Sequence, residues 1–156
     1  MLLAIHTTCI GKVGIAEENG LITNLFFEGE LPVPEPYSEA SALTCEAFRH
    51  LDAYLNGDLK TFSLPLSPPS TLFSARVRQA LLLIPYGSTA TYAAIAMAVG
   101  SPTAARAVGT VCSRNPMPIV IPCHRVVPSG SGFGGYRGGL KLKAALNIIE
   151  NKAATA

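Results

Sequence analysis

Apolar and polar positions alternate with a period of two over residues 2–8, 12–18 and 21–27, which predicts three β-strands. The first two meet around Gly11, and Asn19-Gly20 is a tight hairpin turn before the third, so the strands form an antiparallel meander. A proline-rich loop at 32–36 follows. The period then becomes helical over residues 38–56, where Leu43, Ala47, Leu51, Tyr54 and Leu55 recur on one face and Gly57 stops the run. Ser63-Leu64-Pro65-Leu66-Ser67-Pro68-Pro69-Ser70 holds three prolines and sustains no helix. A domain boundary is expected there, with residues 1–69 as an α/β supporting domain and 70–156 as a second domain.

Beyond the boundary the pattern is helical. Helices are predicted over 71–84, broken at Pro85-Tyr86-Gly87; over 92–99, capped by Thr91 and ended by Gly100; and over 102–114, capped by Ser101 with Pro102 at its first position. A last helix over 140–151 carries Leu142, Leu146 and Ile149 as an apolar stripe. The short joint Val99-Gly100-Ser101-Pro102 makes the middle pair a helix-turn-helix candidate. In the second helix of that pair, Ala105, Val108 and Cys112 are spaced to pack on one face, while Arg106 is one long cation among small side chains. Such an Arg suits a phosphate or an opened base stack, or serves only as a surface charge.

Composition narrows the class. The 156 residues are 49% hydrophobic with a formal charge of +2, which excludes disorder and fits one or two globular domains. No apolar run approaches the ~18 residues that a membrane span needs. Met1-Leu2-Leu3-Ala4-Ile5 lacks a basic start and reads as a strand instead of a secretory signal, so a reducing, cytoplasmic setting is expected, or a nuclear one in a eukaryote. The net charge conceals a polarity: residues 1–70 carry three Lys/Arg against nine Asp/Glu, while residues 71–156 carry nine against Glu150 alone. A basic domain of this kind is expected where the chain meets a polyanion.

The four cysteines, Cys9, Cys45, Cys112 and Cys123, form no C-x-x-C pair, so neither a metal site nor a disulfide framework is expected, and no cofactor is implied. Cys9, Cys45 and Cys112 read as small hydrophobes. Cys123 differs, because the prolines of Asn115-Pro116-Met117-Pro118-Ile119-Val120-Ile121-Pro122 deliver it on a stiff extended approach that ends at Cys-His-Arg. Pro122 suits the opening of a helical turn, whose unpaired N–H groups favour thiolate and lower the pKa from ~8.5. His124 can accept the thiol proton only through a turn or a bridging water, since neighbours in an extended strand face opposite ways. Glu150 either orients that histidine or is a solvated helix acid paired with Lys143 or Lys152.

Pro122-Cys123-His124-Arg125-Val126 closely resembles the active-site signature of the O6-alkylguanine-DNA alkyltransferases, the methylated-DNA–protein-cysteine methyltransferase family. Tyr86-Gly87-Ser88-Thr89-Ala90-Thr91-Tyr92, Ala105-Arg106-Ala107-Val108-Gly109, Asn115-Pro116, Gly134-Gly135-Tyr136-Arg137-Gly138-Gly139 and Glu150 resemble the family pattern in order, covering residues 72 to 150. The resemblance implies a ribonuclease-H-like α/β N-terminal domain and a mainly α, winged helix-turn-helix C-terminal domain. It implies that Cys123 accepts an alkyl group from O6 of guanine, and from O4 of thymine, in double-stranded DNA after base flipping. His124 would be the base through water, Glu150 would polarise it, and Asn115 would brace the turn. Tyr92 would donate to guanine N3, and main-chain groups of Cys123, Val126 and Arg137 would read the base. Arg106 would fill the vacated stack, with Ala105, Gly109 and Arg125 as further substrate or DNA contacts. A monomer that touches no membrane is implied.

The chemistry stands without the name. A carbon on guanine O6 is shielded by neighbouring bases until the nucleotide swings out, and a soft thiolate is a good nucleophile for it. Nothing in the chain suggests cleavage of the resulting thioether, so one transfer per molecule is expected. Glycines at 130, 132, 134, 135, 138 and 139 let backbone approach a planar base. Arg137 would add a phosphate contact or narrow the opening. Three other readings remain at this point: a winged-helix regulator with an inert Cys123, a cysteine hydrolase built on Cys123, His124 and Glu150, and a lesion-binding protein without transfer.

Overall fold

The computed structural model describes residues 1–31, 37–130 and 134–155, so the loop expected at 32–36 and Gly132 lie outside the described residues. The chain divides into two compact units, Met1–Ser67 and Pro68–Ala156.

In the first unit, β1 (Leu2–Thr8), β2 (Gly11–Glu18) and β3 (Leu21–Phe27) form an antiparallel sheet in that order. Asn19 and Gly20 both have positive φ, 53° and 78°, as a two-residue hairpin of matching twist requires. Glu18 therefore pairs directly with Leu21. Helix α1 (Ala42–Leu55) begins at Ser41, whose side chain accepts from Thr44 N, and not at residue 38. Its Ala47, Phe48, Leu51, Tyr54 and Leu55 are buried, as are Val13, Ile15, Ala16, Ile22 and Leu25 of the sheet. The proline-rich segment at the expected domain boundary is partly tied down: Ile22 N donates to Pro65 O at 2.8 Å and Ser67 N to Ile22 O at 2.9 Å, adding a short parallel bridge to the sheet. Cys9 and Cys45 are exposed, contrary to their reading as small buried hydrophobes.

The second unit holds α2 (Leu72–Leu82), α3 (Tyr92–Ala98), α4 (Ala105–Ser113) and α5 (Leu140–Thr155). Two short strands, β4 (Ala90–Thr91) and β5 (Val126–Val127), pair in parallel and bring the start of α3 beside the end of the Cys-His-Arg turn. Thr91 caps α3 through its side chain, as expected. Helix α4 starts three residues later than expected: Ala104 N bonds Ser101 O at 2.9 Å and closes a separate turn, so Ser101 is no cap and Pro102 no first helical residue. Among the described residues no helix is long and apolar enough to cross a membrane.

Candidate active site

The approach to Cys123 is built around one side chain. Asn115, buried at the end of α4, accepts from Met117 N through Oδ1 at 3.0 Å and donates from Nδ2 to Ile121 O at 3.0 Å, spanning the proline-rich turn from both sides. Ile121 N closes the same turn on Met117 O at 2.9 Å. Ile119 within it adopts φ +74°, a conformation that costs a β-branched residue about 1–3 kcal/mol and persists only where its surroundings enforce it. Nδ2 of Asn115 also lies 3.2 Å from Cys123 Sγ, so the residue that shapes the turn also holds the thiol.

Cys123–Arg125 form one turn of 3-10 helix, not an extended strand. This turn sets three neighbouring side chains to separate tasks. Cys123 faces a cavity of about 500 Å³ lined also by Tyr92, Gly109, Cys112, Tyr136 and Arg137. His124 is wholly buried, with Nε2 2.6 Å from Glu150 Oε2, and the Tyr136 ring stands edge-on to it at 6.5 Å. Asn147 fixes the turn from α5 by donating to His124 O at 3.1 Å.

Arg125 turns inward. Its Nε donates to Glu150 Oε1 at 2.8 Å, one terminal nitrogen to Glu150 Oε2 at 3.0 Å and the other to Ile84 O at 2.9 Å. With the guanidinium also 5.6 Å from the Tyr86 ring and the residue buried, its placement does not meet the expectation of a DNA contact. The bidentate pair instead fixes the carboxylate that holds His124. Gly87 completes the set: its N donates to Glu150 Oε1 at 3.1 Å, and its φ of +81° together with 2.8 Å from a hypothetical Cβ to Ala154 leaves no room for a side chain. Glu150 is thus the structural partner of His124 and Arg125, as the first of the two readings expects.

Electrostatics revise one expectation. Burial pushes the Cys123 thiol above its ordinary pKa, and the opposing pull of Asn115, Lys143, Arg137 and its own backbone N–H does not overcome this. The resting side chain is a thiol, not the thiolate inferred from the helical turn. Burial likewise lowers the pKa of His124 against the opposing effect of Glu150, so the imidazole rests neutral and able to accept a proton. Cys112, the second thiol on the cavity wall, is likewise pushed up, to about 12, by burial first and by Cys123 second. Tyr92 is raised by burial first and then by Cys112 and Cys123, which keeps its hydroxyl protonated as a donor.

Of the residues singled out in the sequence, Cys123, Tyr92, Gly109 and Arg137 line the cavity together. Asn115, His124 and Glu150 stand behind Cys123, and Val126 is buried in β5. Arg106 lies exposed on α4, and Ala105 is partly exposed one residue before it. Sequence reasoning considered Lys143 only as a partner for Glu150 and gave it no place at the cavity, yet it is fully buried, donates to Gly135 O at 3.1 Å and sits 6.0 Å from the Tyr92 ring centre. Its neighbours Leu142 and Leu146 announced the apolar stripe, but nothing local announces a lysine drawn into it.

Comparisons with known proteins match this architecture along the chain. A family model described as "6-O-methylguanine DNA methyltransferase, ribonuclease-like domain" matches residues 1–68, and one described as "6-O-methylguanine DNA methyltransferase, DNA binding domain" matches residues 72–152. The methylated-DNA–protein-cysteine methyltransferase of Methanosarcina acetivorans is 41% identical over 153 residues, 96% of this chain and 98% of that protein. The constitutive enzyme of Bacillus subtilis is 45% identical over 150 residues, 92% of this chain and 91% of that one. Among solved structures, the crystal structure of Mycobacterium tuberculosis OGT in complex with DNA superposes with a TM-score of 0.88 at 35% identity, covering 98% of this chain and 94% of that chain.

Proposed function

The chain belongs to the 6-O-methylguanine DNA methyltransferase family, and on that premise we propose that it repairs double-stranded DNA by moving an alkyl group from guanine O6 to Cys123, once per molecule. The observation that carries this reading is the thiol of Cys123, held at 3.2 Å by Asn115 on the wall of a cavity, one residue from the buried His124–Glu150 pair.

The steps follow from those positions. The flipped base enters the cavity, and the Cys123 proton passes to His124 directly or through water. Nε2 is committed to Glu150, so Nδ1 is the receiving atom; the positive charge that forms on the ring is met by the Glu150 carboxylate. Sulfur then attacks the alkyl carbon in line, the carbon–sulfur bond forms, and the carbon–oxygen bond to the base breaks. Tyr92, protonated and on the cavity wall, donates to guanine N3 so that the base departs neutral. The imidazolium then gives up the proton taken from sulfur and Tyr92 regains one, through water, so that in net terms one proton passes from the thiol to the guanine; the product is a thioether that nothing in the site is equipped to cleave.

The basic unit Pro68–Ala156 meets the duplex in this account, with the exposed Arg106 entering the space left by the flipped base and Met1–Ser67 as its support. One chain supplies the thiol, base and proton donor, so it acts as a monomer wherever the DNA is kept. Titrating a duplex that contains one O6-methylguanine tests the stoichiometry: lesion loss is expected to plateau at one per protein. Continued turnover at catalytic protein would contradict the reading.

A further inference from the structure

Resting on the alkyl-transfer reading, we propose that Arg137 adapts this cavity to O6 substituents that carry a carboxylate, such as carboxymethyl, in addition to plain alkyl groups. Arg137 lines the cavity with Cys123, and both side chains are fixed to one residue: a terminal nitrogen of Arg137 donates to the Asn115 carbonyl, while Asn115 Nδ2 reaches Cys123 Sγ at 3.2 Å. The guanidinium is therefore held on the wall against which the reacting carbon must sit.

The charge of this wall is one-sided. Lys143 places a second cation behind it, bonded to Gly135 O at 3.1 Å and 6.0 Å from the Tyr92 ring centre, and both of those residues line the cavity. None of the described lining residues is an acid. Glu150, the one acidic side chain in residues 71–156, is already engaged by Arg125 and His124. A methyl group has nothing to offer such a field, whereas a carboxylate does.

Carboxymethyl transfer makes a specific demand on the site. As sulfur attacks, a developing anion and a carboxylate share one carbon, and a site without cations repels the substrate it is meant to attack. A guanidinium presents five donors in a planar fork that matches a carboxylate. Arg137 offsets the repulsion at the position where it arises. The carbon–sulfur bond forms, the carbon–oxygen bond breaks, the thiol proton goes to the base, and the carboxylate is carried over unchanged.

Because Arg137 also touches Asn115, its removal is expected to slow every substrate, so the informative quantity is a ratio. Single-turnover rates are compared on duplexes carrying O6-methylguanine or O6-carboxymethylguanine, with the adduct on Cys123 identified by mass. In Arg137→Gln the carboxymethyl-to-methyl ratio is expected to fall about tenfold or more, the scale of a charge-assisted bond, and Arg137→Lys is expected to restore part of it. An unchanged ratio in Arg137→Gln overturns the proposal, as does wild-type protein that transfers methyl but no carboxymethyl. A comparison in wild-type protein alone needs no variant: O6-carboxymethylguanine is expected to react faster than its neutral carbamoylmethyl analogue of the same shape, and equal rates overturn the proposal. Failure of wild-type protein to transfer methyl contradicts the alkyl-transfer reading itself.

Discussion

Glu150 Oε2 lies 2.6 Å from His124 Nε2, and both side chains are sealed from solvent. The same carboxylate holds Arg125 by two further bonds, so it organises the base and neutralises the nearest cation at once. Glu150→Gln keeps the shape and removes the charge. Leaving Arg125 buried without its partner is expected to cost about 3–5 kcal/mol of stability. Loss of the polarised base is expected to slow transfer by ~10²–10⁴. Thermal unfolding and single-turnover rates measured on one preparation check both; a stable variant with an unchanged rate contradicts this assignment.

The pH dependence follows from two opposite shifts. Cys123 is raised, so its alkylation by neutral iodoacetamide is expected to keep climbing with pH beyond 9 and show no plateau below 8. His124 is lowered: the folded protein resists protonating it. Its contribution to stability is present above about pH 6.5, the unfolded value, and is lost as pH falls toward the lower folded value. Transfer from lesion duplex is therefore expected to hold steady from pH 8 down through 6.5 and to decline only as pH approaches the lower folded value of His124. A Cys123 plateau at neutral pH, seen by iodoacetamide kinetics, contradicts the resting-thiol assignment.

Asn115→Ala removes the bonds to Ile121 O, Met117 N and Cys123 Sγ together. Leaving buried partners unsatisfied costs about 1–3 kcal/mol each, so a marked fall in thermal stability is expected. With the thiol's hydrogen bond gone, its pKa rises further, and the iodoacetamide profile is expected to move to higher pH. An unmoved profile in a folded variant removes Asn115 from the control of the thiol.

Arg106 is exposed on α4, and truncating it to Ala is expected to change stability by no more than about 0.5 kcal/mol. Its effect is confined to duplex substrate: transfer from O6-methylguanine in a duplex slows, while transfer from the free base O6-benzylguanine is unaffected. Equal effects on both substrates contradict a role in base flipping. Duplex affinity of the wild-type protein is expected to fall with salt at a log–log slope of about −0.9 per phosphate contacted.

Much of this site can be read along the chain, because local chemistry repeats what the fold enforces. The Asn19-Gly20 turn needs positive φ at both residues, and its dipeptide states that need. The prolines before Cys123 state their stiffness in the same way. The start of α4 departs from its sequence signal: Ser101-Pro102 is a strong start signal, yet the Ser101 carbonyl is taken by Ala104. The places of Arg125 and Lys143 are hidden for a different reason. A cation reads as solvated until its partner is known, and those partners, Glu150 for Arg125 and Gly135 O for Lys143, are fixed only by tertiary packing. The Cys123 pKa fails similarly, since donors near the thiol are visible in sequence whereas the depth of its burial is not.

Transfer to one sulfur is tested most directly by mass. Protein incubated with a duplex containing O6-methylguanine is weighed intact and then mapped by peptide. Gain of a single methyl on Cys123 is the expected result, with Cys112, held near pKa 12, and the exposed Cys9 and Cys45 unmodified. An unchanged mass, or methyl groups spread over the other three cysteines, contradicts the account.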